Sequence, residues 1–160
     1  MFSLLAAADA TSIQIEGGPS YMDSDATAAV FGEAVFDAYP IGDSAFSWSP
    51  DVSLGFINRR DIARYSGSRY STNDNVYLAA AGARFHYGEA SHWYHHLFFS
   101  FQPAVQSGRT QALSTHYEFV STLGWQWRDL SLQIRHISNG STGGTNRGET
   151  MLLVAFDFAH

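Results

Sequence analysis

The sequence predicts an all-β fold, an eight-stranded antiparallel up-and-down transmembrane β-barrel, on three observations. Apolar and polar residues alternate with period two along most of the chain, the repeat of a strand with unlike faces. Charged residues make up only 15% of the 160 residues and aromatics another 15%, yet the mean hydropathy is −0.15, so the apolar side chains must be interleaved with polar ones. No apolar run reaches the ~18 residues of a membrane-spanning helix, whereas barrel strands of interleaved residues need no such run.

Clusters of Gly, Ser, Asn, Asp and Pro divide the alternation into eight segments, at 12–22, 27–38, 45–58, 75–87, 92–106, 114–128, 130–140 and 149–159. In the third, Phe46, Trp48, Val52, Leu54 and Phe56 share a face. The fifth sets Trp93, His95, Leu97, Phe99 and Phe101 against His92, Tyr94, His96, Phe98, Ser100 and Gln102. The sixth sets Tyr117, Phe119, Leu123, Trp125 and Trp127 against His116, Glu118, Thr122, Gln126 and Arg128. In the eighth, Leu152, Val154, Phe156 and Phe158 form the apolar row. One face suits hydrocarbon, and the other, with Arg84, Glu118, Arg128 and Arg135, suits a small polar lumen. Trp and Tyr near segment ends suit the two interfacial girdles. A soluble barrel with the apolar face inward is the competing architecture; bulky charges on the polar face and the need to close edges in lipid favour the membrane form.

At this length the chain holds one domain, 1–160, with residues 1–11 as an N-terminal segment. Met1 to Ala8 is apolar and lacks a basic flank, which fits either the edge of a mature N-terminus or a signal-peptide remnant. There is no cysteine, hence no disulfide and no thiolate metal site. A formal charge of −6 opposes nucleic acid as a partner.

The seventh segment and the stretch after it carry the residues of chemical interest. Leu130, Leu132, Ile134, His136 and Ser138 have one parity, so the imidazole and the hydroxyl continue the lipid-facing row. A serine hydroxyl becomes a nucleophile when a base takes its proton, and histidine is the usual base. Residues i and i+2 of a strand stand side by side, roughly 6–7 Å apart at Cα. Donors for an oxyanion are at hand in Asn139, Asn146 and the backbone around Gly140 and Ser141. A polar strand end emerging into water is the bland alternative for His136 and Ser138.

The His136-x-Ser138-Asn139 core followed by Asn146-x-Gly148-Glu149 resembles the lipid A 3-O-deacylases of the PagL type, over about twenty residues. That resemblance implies an eight-stranded barrel of the Gram-negative outer membrane whose outer wall hydrolyses the 3-position acyl ester of lipid A. It implies Ser138 as nucleophile, His136 as base, Glu149 as the carboxylate that orients the imidazole, and Asn139 and Asn146 at the oxyanion. It implies lipopolysaccharide as the substrate and no cofactor or metal, and it leaves a homodimer open. Two departures stand out: Ser141 occupies a position where glycine is common, and the interval from His136 to Glu149 is one residue short. By parity with Leu152 and Val154, Glu149 would face inward; a β-bulge near Gly148, or a place in the loop above the strand, would bring it to His136. A non-catalytic outer-membrane barrel with a structural or adhesive role is the rival reading.

Three features carry less. His92 and His96 would lie roughly 13 Å apart along a strand, too far for one ion. Arg59, Arg60, Asp61 and Arg64 read as a solvated loop in preference to a contact with lipid A phosphates. The Gly140–Gly148 stretch lacks the lysine of a phosphate-cradling loop.

Overall fold

A computed structural model describes residues 11–144 and 146–158; the apolar Met1–Ala8 and Ala159 at the end of the eighth predicted strand lie outside the described residues. The strands are β1 (Ser12–Met22), β2 (Asp25–Val35), β3 (Tyr39–Pro40), β4 (Phe46–Ile57), β5 (Val76–Tyr87), β6 (Leu97–Gln106), β7 (Tyr117–Trp127), β8 (Leu130–Ser138) and β9 (Glu149–Asp157). Apart from the two-residue β3, each pairs antiparallel with its neighbours around the ring, and the β2–β4 ladder from Ala29↔Ile57 to Val35↔Asp51 closes it. The eight long strands are the eight predicted segments, most with trimmed ends; β1 keeps both of its bounds, and β2 starts two residues earlier, at Asp25. β3 adds a short flap on β4, with Tyr39 opposite Trp48.

The starts and ends of β1 and β9 place both described chain ends at one rim, with the 36–45, 88–96 and 128–129 connections. The opposite rim, here the loop rim, carries residues 23–24, 58–75, 107–116 and 139–148.

Two expectations need correction. The fifth strand begins at Leu97, not His92, because Trp93–His96 is a 3-10 turn. The His95 ring bonds back to the Gly88 carbonyl (2.9 Å), and His86 to the His95 carbonyl (3.1 Å), so the histidines fold over the end of β5 and do not alternate in and out. Arg128 is not in the lumen: it takes φ +54° in the turn between β7 and β8 and is exposed.

The faces are inside-out relative to a soluble protein. Leu54, Leu132 and Ile134 point outward at 69%, 60% and 53% exposure, while Arg135 and Glu16 point inward at 0%. Aromatic pairs mark two belts on the wall. Phe46–Tyr87 and Trp93–Trp125 lie toward the rim of the chain ends, and Phe56–Tyr77 and Phe101–Phe119 toward the loop rim.

Inside, Arg135 bridges Glu16 (2.6 Å) and Glu33 (2.9 Å), and Arg84 reaches Glu33 at 3.0 Å. Each guanidinium also lies over a ring, Arg135 over Phe31 (4.6 Å) and Arg84 over Phe98 (4.0 Å). Those two rings in turn cover glycines directly across a ladder, Phe31↔Gly55 and Phe98↔Gly124. A Cβ on either glycine would sit 2.1–2.2 Å from ring carbon, so the glycines are required by the close approach. Above the ion network an apolar cluster including Met22, Ile57, Leu113, Ile137 and Met151 fills the lumen toward the loop rim.

Candidate functional site

On the outer wall, near the loop rim, one rung breaks the apolar pattern. Ser121 of β7 stands opposite His136 of β8, which stands opposite Thr150 of β9. His136 is exposed and points outward, as parity requires. Its Nδ1 lies 3.0 Å from the Thr150 hydroxyl oxygen, which fixes the ring between β8 and β9.

The ring leans over Gly148. A Cβ built there would lie 2.9 Å from His136 Cε1 and 3.3 Å from Nε2, and the residue takes φ +74°. Continuing the ladder one pair beyond Ile137↔Glu149 brings Ser138 opposite Gly148. Nε2 is therefore turned toward the rung on which the half-buried Ser138 stands, although no hydrogen bond joins the two among the described residues. The rung below, Leu123, Ile134 and Leu152, opens a groove of about 540 Å³ that continues down the wall past Trp125, Leu132 and Val154.

Alanine at position 148 would meet both the ring and the left-handed backbone. Gly148→Ala is expected to cost about 1–2 kcal/mol from the backbone alone and to shift the His136 ring resonances in an NMR spectrum. Unchanged resonances would mean that the imidazole does not use that space.

The other residues singled out from the sequence have structural partners. Asn139 is fully buried; its Nδ2 donates to the Gly144 carbonyl (2.9 Å), and its Oδ1 accepts from Ser141 N–H (2.8 Å). Asn139 thus shapes the 139–148 loop, with Gly140 and Ser141 both at positive φ (58° and 60°). Asn146 Nδ2 donates to Glu118 of β7 at 2.9 Å. Each asparagine has one amide proton in the loop framework.

Glu149 does not orient His136. It is the first residue of β9, without an intervening bulge, and its side chain is buried in the lumen. Its carboxylate accepts from Arg60 through two nitrogens (2.6 and 2.7 Å) and from the Ser20 hydroxyl (2.5 Å). Period two is the reason: residues 149 and 150 must face opposite ways. The same contacts correct the reading of Arg60 as solvated loop, since it also donates to the carbonyls of Ser20 (2.8 Å) and Asp25 (3.0 Å). Thr150 was missed: the parity of Leu152 and Val154 turns it outward, but its place beside His136 is set by the register between β8 and β9.

The closed ladder, the apolar outer band with its aromatic belts, and the charged interior define an outer-membrane-type β-barrel with no open sheet edge in its wall. No family model matches the chain, and no curated protein matches it. Among solved structures, the outer membrane protein Ail of Yersinia pestis, determined as a backbone structure in a phospholipid bilayer nanodisc, is similar at 11% identity with a TM-score of 0.45. The match covers 92% of this chain and 99% of that one. A likeness so distant says nothing about function, and the architecture follows from the ladder and the sidedness of its faces.

Proposed function

We propose that this barrel lies in a Gram-negative outer membrane and hydrolyses the 3-position acyl ester of lipid A. The single observation that supports this most is the placing of His136: Nδ1 held by Thr150, the ring over Gly148, and Nε2 beside the Ser138 rung with no hydrogen bond among the described residues, all on the lipid-facing wall. Barrels of this type carry their longer loops outside the cell. The 58–75 loop is the longest connection in the fold, so the loop rim, and with it the site, meets the outer leaflet.

In this mechanism Nδ1–H donates to Thr150, leaving Nε2 as the base. Ser138 Oγ loses its proton to Nε2 and attacks the ester carbonyl. The oxyanion is met by the Gly140 N–H, which makes no hydrogen bond among the described residues; Asn139, fully buried, and Asn146, bonded to Glu118, hold the loop that presents it. Collapse breaks the ester C–O bond, Nε2 returns the proton to the departing sugar oxygen, and water then releases the fatty acid from Ser138 by the same route. The acyl chain lies along the apolar groove below Ile134 and Leu152, so only the ester must leave hydrocarbon.

The test is the purified barrel with lipopolysaccharide, reading released hydroxy fatty acid and lipid A mass. Loss of one acyl chain is expected; unchanged lipid A would leave the non-catalytic barrel, a reading favoured by the commitment of Glu149 to Arg60. Thr150→Val removes one orienting hydrogen bond of about 1 kcal/mol and is expected to lower kcat about fivefold. Thr150→Ser should retain activity, and equal turnover in all three proteins would remove Thr150 from the site.

A further inference from the structure

The loop rim carries a feature that the ester chemistry does not use. Six of the nine arginines stand there, at positions 59, 60, 64, 69, 109 and 147, and the chain has no lysine. Three are tied into the fold: Arg60 to Glu149, Arg64 to Asp25 and Arg147 to Asp23. Arg59, Arg69 and Arg109 are exposed and have no acidic partner among the described residues.

Two of these are brought to one place. The 58–75 and 107–116 loops are joined by a bridge between Ser71 and Thr110, by Gln111 N–H donating to the Ser71 carbonyl (3.1 Å), and by Gln111 Nε2 donating to the Tyr70 carbonyl (2.8 Å). Arg69 is two residues from that bridge and Arg109 one. Below the pair, on the outer wall, stand the exposed rings of Tyr77 and Tyr117, first or second residues of β5 and β7. Tyrosines at that level mark the membrane–water interface, so the joined loops that carry Arg69 and Arg109 emerge at the height of lipid headgroups. The opposite rim has the reverse balance: Asp37, Asp43, Glu89 and Asp129 with Arg128 as the one arginine among the described residues there.

We infer that Arg69 and Arg109 dock the phosphate of an outer-leaflet lipid headgroup. A guanidinium offers two parallel N–H donors that match two phosphate oxygens, and two such forks can neutralise a dianion. A lipid is the occupant because the aromatic belt sets the two joined loops at headgroup height, whereas a soluble anion gains nothing from that position. The inference rests on the reading that the loop rim faces the outer leaflet, and not on the chemistry of Ser138.

The experiment uses the refolded full chain in detergent micelles, in a Ser138→Ala background so that no substrate turns over. Binding of lipid A, of lipid A stripped of its phosphates, and of inorganic phosphate is followed by native mass spectrometry. Lipid A should bind roughly tenfold tighter than its dephosphorylated form, and Arg69→Gln/Arg109→Gln should abolish that preference. Arg128→Gln, at the other rim, should keep it. Equal affinity for the two lipids, or an unchanged preference in the double variant, overturns the docking point. Displacement of lipid A by equimolar inorganic phosphate reassigns the pair to a soluble anion and overturns it as well. Because binding is read without turnover, its failure leaves the hydrolase test untouched, and failure of hydrolysis leaves this one.

Discussion

Ser138→Ala is expected to give a folded barrel that releases no fatty acid from lipopolysaccharide, a loss of at least ~10³-fold in kcat. The size follows from the mechanism: without Oγ there is no acyl-enzyme, and His136 can only assist a water held by nothing. Ser138 is half-buried on the outer wall, paired through its backbone with Phe119, and its hydroxyl makes no hydrogen bond among the described residues, so its replacement removes chemistry and little structure. Heat-modified mobility on a denaturing gel would show that the barrel persists. His136→Ala should fall to the same level, and the double variant should be no worse than either single one, because nucleophile and base act as a unit. Full activity in Ser138→Ala would defeat the proposed mechanism even if lipid A were being trimmed.

The second large effect is on stability. Arg135 is fully buried, with Glu16, Glu33, the Thr122 hydroxyl (2.9 Å) and the Gln133 side-chain Oε1 (3.2 Å) around its guanidinium. Removing it leaves Glu16 and Glu33 on one lumen level with Arg84 as the remaining nearby cation. Arg135→Ala is therefore expected to destabilise the barrel by about 3–5 kcal/mol, the range for breaking one side of a buried ion pair. Urea titration of the protein in lipid vesicles would measure it. Arg135→Met with Glu16→Gln should recover much of the loss, because the carboxylate stranded by the first change is neutralised by the second. A loss below about 1 kcal/mol in the single variant would mean that water or proton uptake compensates the acids.

The barrel was legible because its determinant is a period-two signal that lipid sharpens on one face and a small lumen on the other. Eight runs separated by turn residues, with Leu132 and Ile134 on one side and Arg135 on the other, leave little freedom in sidedness. Strand ends were less legible. His92 to His96 alternate as a strand would, but Gly88 and the bond from the His95 ring to its carbonyl turn the segment before it enters the ladder. At the site, His136 and Ser138 could be placed outward from parity within one strand. Their neighbours depend on the register between β8 and β9, which no single strand encodes. The resemblance pointed to the nearest carboxylate, Glu149, whereas the ladder puts Thr150 beside the imidazole and gives Glu149 to Arg60, a residue 89 positions away. Long-range partners of this kind are where one sequence is least informative.

The two phenylalanines seated on glycines have a consequence for assembly. Slipping one strand by a single position exposes its charged face to lipid, so parity forbids it. A slip of two keeps every side chain on its proper face, and parity is blind to it. In the β2–β4 ladder such a slip would set Phe31 against Ser53 or Ile57, whose side chains fill the space that Gly55 leaves open. Phe98 and Gly124 impose the same condition between β6 and β7. Each pair works as a tooth and notch that admits one alignment, so these two ladders are checked by shape after hydrophobicity has ceased to discriminate.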